Sequence, residues 1–270
     1  MERLSNKFRR GMWRIRARSK GVFSNFDEQI IIERQLQELR VEKKFCVDIA
    51  ASDGISMSNT YSLFRGGWAG LAVEFDKRKF AKLASHYKSF SKVALAKCMV
   101  TPENVTWLLK AYQMPKAFGL LNLDIDGYDY FVLEKILSEF RPSLICAEIN
   151  EKIPPPVKFT VKWHPDYYWR GDHFYGQSIS QLVSLCPKFN YSLIGLHYNN
   201  AFLAPVELTT KKPLTAEEAY RTGYLDQPDR KLRFPWNANM EPLLRLQPQE
   251  ATDYVNNFFS NRKGEFICEL

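Results

Sequence analysis

The strongest constraint on this chain is a rhythm. Short apolar runs, each closed by acidic or small polar residues, alternate with segments of helical period. The runs are "FCVDIAASDG", "WAGLAVEFD", "KVALAKCMV", "AFGLLNLDID" and "SLICAEIN". Between them lie "SMSNTYSLFRGG", "KRKFAKLASHYKS", "TPENVTWLLKAYQM" and "YDYFVLEKILSEF", with a further helix in "NFDEQIIIERQLQEL" ahead of the first run. Thr101 with Pro102 and Asn104 predicts a capped helix start, and Arg141-Pro142 predicts a helix end. Apolar strands alternating with helices mean a mostly parallel sheet covered on both faces. A long loop is expected from Glu151 to about Gly176, followed by a helix in "SISQLVSLC". The strands "YSLIGLHY" and "AFLAPVEL" then make an antiparallel hairpin at the sheet edge. The division expected is a basic arm over residues 1–24, one domain over 25–210, and an extension over 211–270 packed on it or lidding it. That tail reads as irregular, with one helix near "EATDYVNNFF".

Composition narrows the class. Of the net charge of +8, residues 1–20 supply +7, from eight basic side chains against Glu2, so the body is close to neutral. Such an arm can touch anionic membrane, nucleic acid or an acidic partner, or stay a solvated terminus; its composition is also that of a transit peptide. With no basic stripe on the body, no specific nucleic acid is expected. No apolar stretch approaches the ~20 residues of a membrane-spanning helix, and no signal peptide is recognisable. The five cysteines are scattered, with no CxxC pair, which excludes a zinc framework and reads as reduced thiols in a cytoplasmic protein.

In an open α/β sheet, ligands bind beyond the carboxyl ends of the strands. Polar residues collect there five times: Asp48 to Gly54, Glu74 with Asp76, Cys98 to Thr101, Asp124 to Asp129, and Glu148 with Asn150. Glu74, about twenty residues after Gly54, can accept both hydroxyls of a ribose. A dinucleotide would need a glycine-rich turn to cradle its pyrophosphate. Here the turn is A-A-S-D-G, and Asp53 would oppose the phosphates. A cationic, phosphate-free cofactor such as S-adenosylmethionine tolerates that acid, so methyl transfer is the better fit.

The stretches "VDIAASDGISMSNTYSLFRGGWAGLAVEFD", "LLNLDIDGYDYFVLEKIL", "RPSLICAEIN" and "FYGQSISQLVSLCPKFNYSLIGLHYNNAFLA" together resemble the FkbM-like S-adenosylmethionine-dependent methyltransferases. The resemblance runs from about residue 44 to 205, and D-I-D-G-x-D is its most specific part. It implies a Rossmann-like seven-stranded methyltransferase fold and O-methylation of a sugar or glycosylated small molecule. By it, Asp48, Ala50, Ser52 and Gly54 line the methionine side, Glu74 holds the ribose, Cys98 to Val100, Met99 included, flank the adenine, and Asp124 borders the cofactor. Ala50 departs from the pattern, which usually has glycine there and so leaves a wider methionine pocket. Metal-dependent O-methyltransferases carry carboxylates at similar strand ends. Asp124, Glu148 and Asn150 are therefore expected either to hold Mg²⁺ or to hydrogen-bond a small-molecule or carbohydrate acceptor without metal. Asp126 is expected to be a helix cap or a site residue, and Asp129 a cap or a solvent-facing residue. The aromatic loop "KFTVKWHPDYYWRGDHFYG" suits a sugar ring, and His173 is the expected base, with Asp124 beside it in the chemistry. The alternatives are an RNA or protein methyltransferase using the basic arm, and a non-catalytic membrane- or partner-binding module on the same fold.

Overall fold

The computed structural model describes Ser19 and residues 21–270. The basic arm of residues 1–20 therefore lies, Ser19 apart, outside the described residues. The strands in chain order are β1 (Phe45–Ile49), β2 (Ala69–Glu74), β3 (Val93–Lys97), β4 (Ala117–Leu123), β5 (Arg141–Glu148), β6 (Lys158–Val161), β7 (Tyr191–His197), β8 (Asn200–Pro205) and β9 (Phe266–Glu269). Seven of them form one sheet in the order β3-β2-β1-β4-β5-β8-β7, and β6 pairs with β9 in a second sheet. Strands β1, β2 and β3 are parallel, with Val47 opposite Leu71 and Leu71 opposite Ala94. β8 runs antiparallel to both β5 and β7. This is a Rossmann-like, mostly parallel seven-stranded sheet with an antiparallel edge, the fold that the resemblance implied. Its order reverses at β1, which fixes where a ligand is expected.

The central strands read as apolar runs because both of their faces are covered: Cys46, Val47, Leu71 and Ala72 are fully buried. The helix Lys77–Tyr87 starts where it does because the Asp76 side chain accepts from the amides of Arg78 and Lys79, at 2.9 and 2.8 Å. The helix expected from Thr101 begins at Val105 instead. Thr101 and Asn104 bond each other's amides reciprocally, which closes a turn ahead of the helix. β3 stops at Lys97, three residues before the apolar run ends.

Two expectations are corrected. The segment after Glu151 contains strand β6, whose partner lies more than a hundred residues on; Phe159 faces Cys268 across that pair. A four-residue strand paired at such a distance leaves no local periodicity. The tail, expected to be irregular with one helix, also contains the helices Ala216–Tyr220 and Arg230–Arg233 besides Pro248–Phe258, and it ends in β9.

The chain divides into two compact units. The first comprises the described part of Met1–Val100 with Trp107–Asn122 and Arg141–Leu144. The second comprises Thr101–Thr106, Leu123–Phe140 and Ile145–Leu270. The second has its own apolar cluster, in which Phe159 and Val161 of β6 and Phe174 pack with Leu243, Val255 and Phe259 from the tail. Among the described residues no helix is long and apolar enough to cross a membrane.

Candidate active site

In the first unit, Asp48 is 2% exposed and both of its oxygens are engaged. One accepts from Thr60 Oγ1 at 2.6 Å and the other from Asn122 Nδ2 at 2.8 Å; Asn122 in turn accepts from Asn59. Asp48 thus fastens β4 and the Asn59–Thr60 turn to β1, a structural duty beside any contact with a ligand.

The turn that follows is wound left-handed. Ala50 has φ 68° and Ser52 φ 53°, in the region where a side chain is least comfortable. Glu74 at the end of β2 holds this turn: its Oε2 accepts from the amide of Ser52 at 2.9 Å and its Oε1 from the amide of Asp76 at 2.7 Å. Spare lone pairs on the same oxygens remain able to accept hydroxyls. Phe75 and Met99, the residues just past β2 and close after β3, expose apolar surface, 49% and 38% respectively. The Cys98 amide binds the Glu74 carbonyl, and burial pushes its thiol up.

Asp53 closes on its own loop, accepting from the amides of Ile55 and Ser56 and from Ser56 Oγ. Burial opposes its ionisation, but the bonds from Ser56 and Ile55 outweigh that and hold its carboxyl below the usual range. A fixed negative charge in this turn is what a pyrophosphate cannot meet. Gly54 has φ 81°, and a Cβ there would lie 2.6 Å from Leu83 Cδ1 and from Tyr87 Cε1. Only glycine lets the turn sit on the helix Lys77–Tyr87.

In the second unit, Asp124, Asp126 and Glu148 each place a carboxylate oxygen within 4.8 Å of the others. Burial first, and then the charges of Asp124 and Asp126, push Glu148 well above the ordinary glutamate range. Asp126 has φ 54° and joins this group. Asp129 neither caps the helix that it opens, Asp129–Leu137, nor faces solvent: it is buried, and its two oxygens accept from the amides of Ile125 and Gly127 ahead of that helix, both at 2.9 Å. Burial raises its carboxyl to about 6. Tyr167 completes the loop by donating to the carbonyls of Asp126 and Phe174, and its ring fills the space that a Cβ on Gly127 would need.

Asn150 spends its amide nitrogen on the carbonyls of His173 and Tyr175, both at 2.9 Å. Its Oδ1, like Gln177 Oε1, is buried without a hydrogen-bond partner, so each can take a donor or a cation. His173 Nε2 lies 2.9 Å from Asn239 Oδ1. Since that oxygen only accepts, Nε2 carries the proton and Nδ1 is the basic atom. Burial, then the charge of Lys152, lowers the His173 pKa and keeps the ring neutral. In the aromatic loop, Trp163 donates to Glu103 and meets Tyr128 edge-on, Trp169 meets Tyr175, and Tyr168 is 67% exposed.

The sequence reading missed one group altogether. Glu151 and Lys152, next to the β5 end, are buried and paired at 3.3 Å. Two adjacent opposite charges between "AEIN" and a proline run were the available signal.

No protein-family model and no curated protein matches the chain. Solved structures do. An S-adenosylmethionine-dependent methyltransferase from Clostridium acetobutylicum matches at 10% identity and TM-score 0.44, over 74% of this chain and 98% of that one. The N-terminal domain of EvdMO1 with SAH bound matches at 10% identity and TM-score 0.44, over 67% and 81%. The [4+2]-cyclase SpnF matches at 11% identity and TM-score 0.38, over 62% and 58%. Likeness at this level does not determine the reaction.

Proposed function

We propose that this chain is a S-adenosylmethionine-dependent O-methyltransferase of the FkbM-like kind, acting on a hydroxyl of a sugar or glycosylated small molecule. The observation that carries the reading is Glu74. A buried carboxylate, fixed by the amides of Ser52 and Asp76 at the end of β2, stands next in sequence to the exposed Phe75. That pairing suits a ribose on the acid and a purine on the apolar surface, and Asp53 disfavours the pyrophosphate of a dinucleotide. When bound, S-adenosylmethionine supplies the methyl group and leaves as a neutral thioether.

The second unit supplies groups for an acceptor. Neutral His173, protonated at Nε2, offers Nδ1 to take the hydroxyl proton, and the carboxylates of Asp124 and Glu148 can accept hydrogen bonds from the acceptor. The donor set of Asp124, Asp126 and Glu148 is all hard oxygen and mutually repulsive, which fits a Mg²⁺-type cation. Those three residues would hold it, with the orphaned Asn150 oxygen as a further donor, and the ion would lower the pKa of a coordinated hydroxyl.

Titration calorimetry tests the reading. S-adenosylmethionine should bind with a Kd on the order of micromolar, and Glu74→Gln should weaken it about tenfold or more, as expected for losing a charge-assisted hydrogen bond. Equal affinity in a folded Glu74→Gln protein, or tight binding of NAD by the unaltered chain, would refute it.

A further inference from the structure

The buried pair beside the β5 end belongs to a larger node. The Glu151 carboxylate accepts from Tyr175 Oη at 2.9 Å, from Asn237 Nδ2 at 2.7 Å and from Lys152 Nζ at 3.3 Å. Lys152 also donates to Tyr175 Oη at 2.6 Å, and the Glu151 carbonyl accepts from Tyr220 Oη. Asn237 reaches on to Tyr224 Oη at 3.1 Å. Every member is buried: Glu151 is 0% exposed, Lys152 3%, Tyr175 7% and Asn237 2%.

Two chain segments meet here. Residues 148–152 are zipped to residues 173–177: the Asn150 amide donates to the Gln177 carbonyl, Gln177 Nε2 to the Glu148 carbonyl, and Asn150 Nδ2 to the carbonyls of His173 and Tyr175. The tail segment 220–239 then grips both strands of that zipper, through Tyr220 and Asn237 on Glu151 and through Asn239 on the His173 ring. Burying a charged pair is a poor way to gain stability, because desolvation consumes most of the attraction. It is a good way to fix geometry, because a half-formed version is so costly.

We propose that Glu151 is a positioning residue: through it the tail segment 220–239 sets the register of Glu148, and the same anchoring holds Asn239 where it orients the His173 ring. The inference rests on the reading of those two groups as acceptor-facing. It gives the tail a definite task in the site, one that does not require any tail side chain to touch the acceptor.

The test uses the full chain and two variants, Asn237→Leu, which removes a donor to Glu151 at similar volume, and Tyr220→Phe, which removes a single hydroxyl. Amide hydrogen exchange should accelerate about tenfold over residues 148–153 and 173–177, while the amides of β1 to β3 keep their rates. The ¹³C-imidazole resonance of His173 should shift or broaden in both variants. Unchanged exchange and an unchanged His173 signal in both variants would overturn the proposal. So would an equal acceleration in β1 to β3, which would mean general loss of stability. S-adenosylmethionine calorimetry on the same samples keeps the two ideas apart. If the unaltered chain binds no cofactor, the functional reading fails whatever the exchange shows. If binding is intact and exchange is unmoved, only the positioning role fails.

Discussion

Ala50 shows how a single residue carries information that sequence could only half supply. A glycine was the expected occupant of this turn, and the φ of 68° shows why: the chain is left-handed here and the methyl group is strained. That conformation costs an L-residue about 1–2 kcal/mol, against about 0.5–1 kcal/mol of extra chain entropy that glycine loses on folding. Ala50→Gly should therefore raise the melting temperature slightly, with a net gain below about 1 kcal/mol; a clear fall in a thermal melt would contradict the strain. Asp129 gives a prediction with a definite sign. Its folded pKa of about 6 stands above the ordinary value of 3.8, so folding favours the protonated form. Its contribution is fully present below pH 3.8 and is lost as pH rises through about 6. Asp129→Asn should flatten the difference in stability between pH 4 and pH 6.5. It should also cost about 1–3 kcal/mol at the acid end, because one of two buried amides loses its acceptor. Urea titrations of both proteins across that range measure it, and parallel curves would rule it out. Position in the sequence set Asp124 just past the end of β4, where the structure has it. It did not show that the left-handed φ of Asp126 accompanies its place with the acids, or that Asp129 is buried with its oxygens on the amides of Ile125 and Gly127.

At the scale of elements, what was legible is what local chemistry decides. The apolar runs, the helix over "KRKFAKLASHYKS" and the β7–β8 hairpin depend on neighbours within a few residues, and the structure contains them all. The β6–β9 sheet and the tail helices depend on burial against residues far along the chain, such as Phe159 against Phe259 at 5.6 Å between ring centres. No window of sequence carries that pairing. The same limit hid the Glu151–Lys152 node, whose partners come from residues 175, 220 and 237. It also permits a prediction. Lys152→Met strands the Glu151 charge in the interior and should cost about 3–5 kcal/mol, whereas Glu151→Gln combined with Lys152→Met removes both charges and should recover most of that loss. Chemical denaturation of the two variants reads the difference, and equal stabilities would show that the pair does not act as a unit.

At the scale of the molecule, the strand order β3-β2-β1-β4-β5-β8-β7 follows from the rhythm of the sequence and the resemblance together. The polar strand ends predicted at β1 and β2, and Cys98 to Val100 after β3, lie in one compact unit; Asp124, Asp126, Glu148 and His173 lie in the other. The residues proposed for the cofactor were legible as candidates because each lies within about five residues of a strand end. Those proposed for the acceptor were less so, because they are held by the zipper of residues 148–152 with 173–177 and by the tail. The central claim is that Glu74 receives the ribose of S-adenosylmethionine. A crystal structure with S-adenosylhomocysteine tests it most directly. The account predicts both ribose hydroxyls within hydrogen-bond distance of the Glu74 oxygens and the adenine against Phe75 and Met99; a ligand bound elsewhere with Glu74 untouched would contradict it.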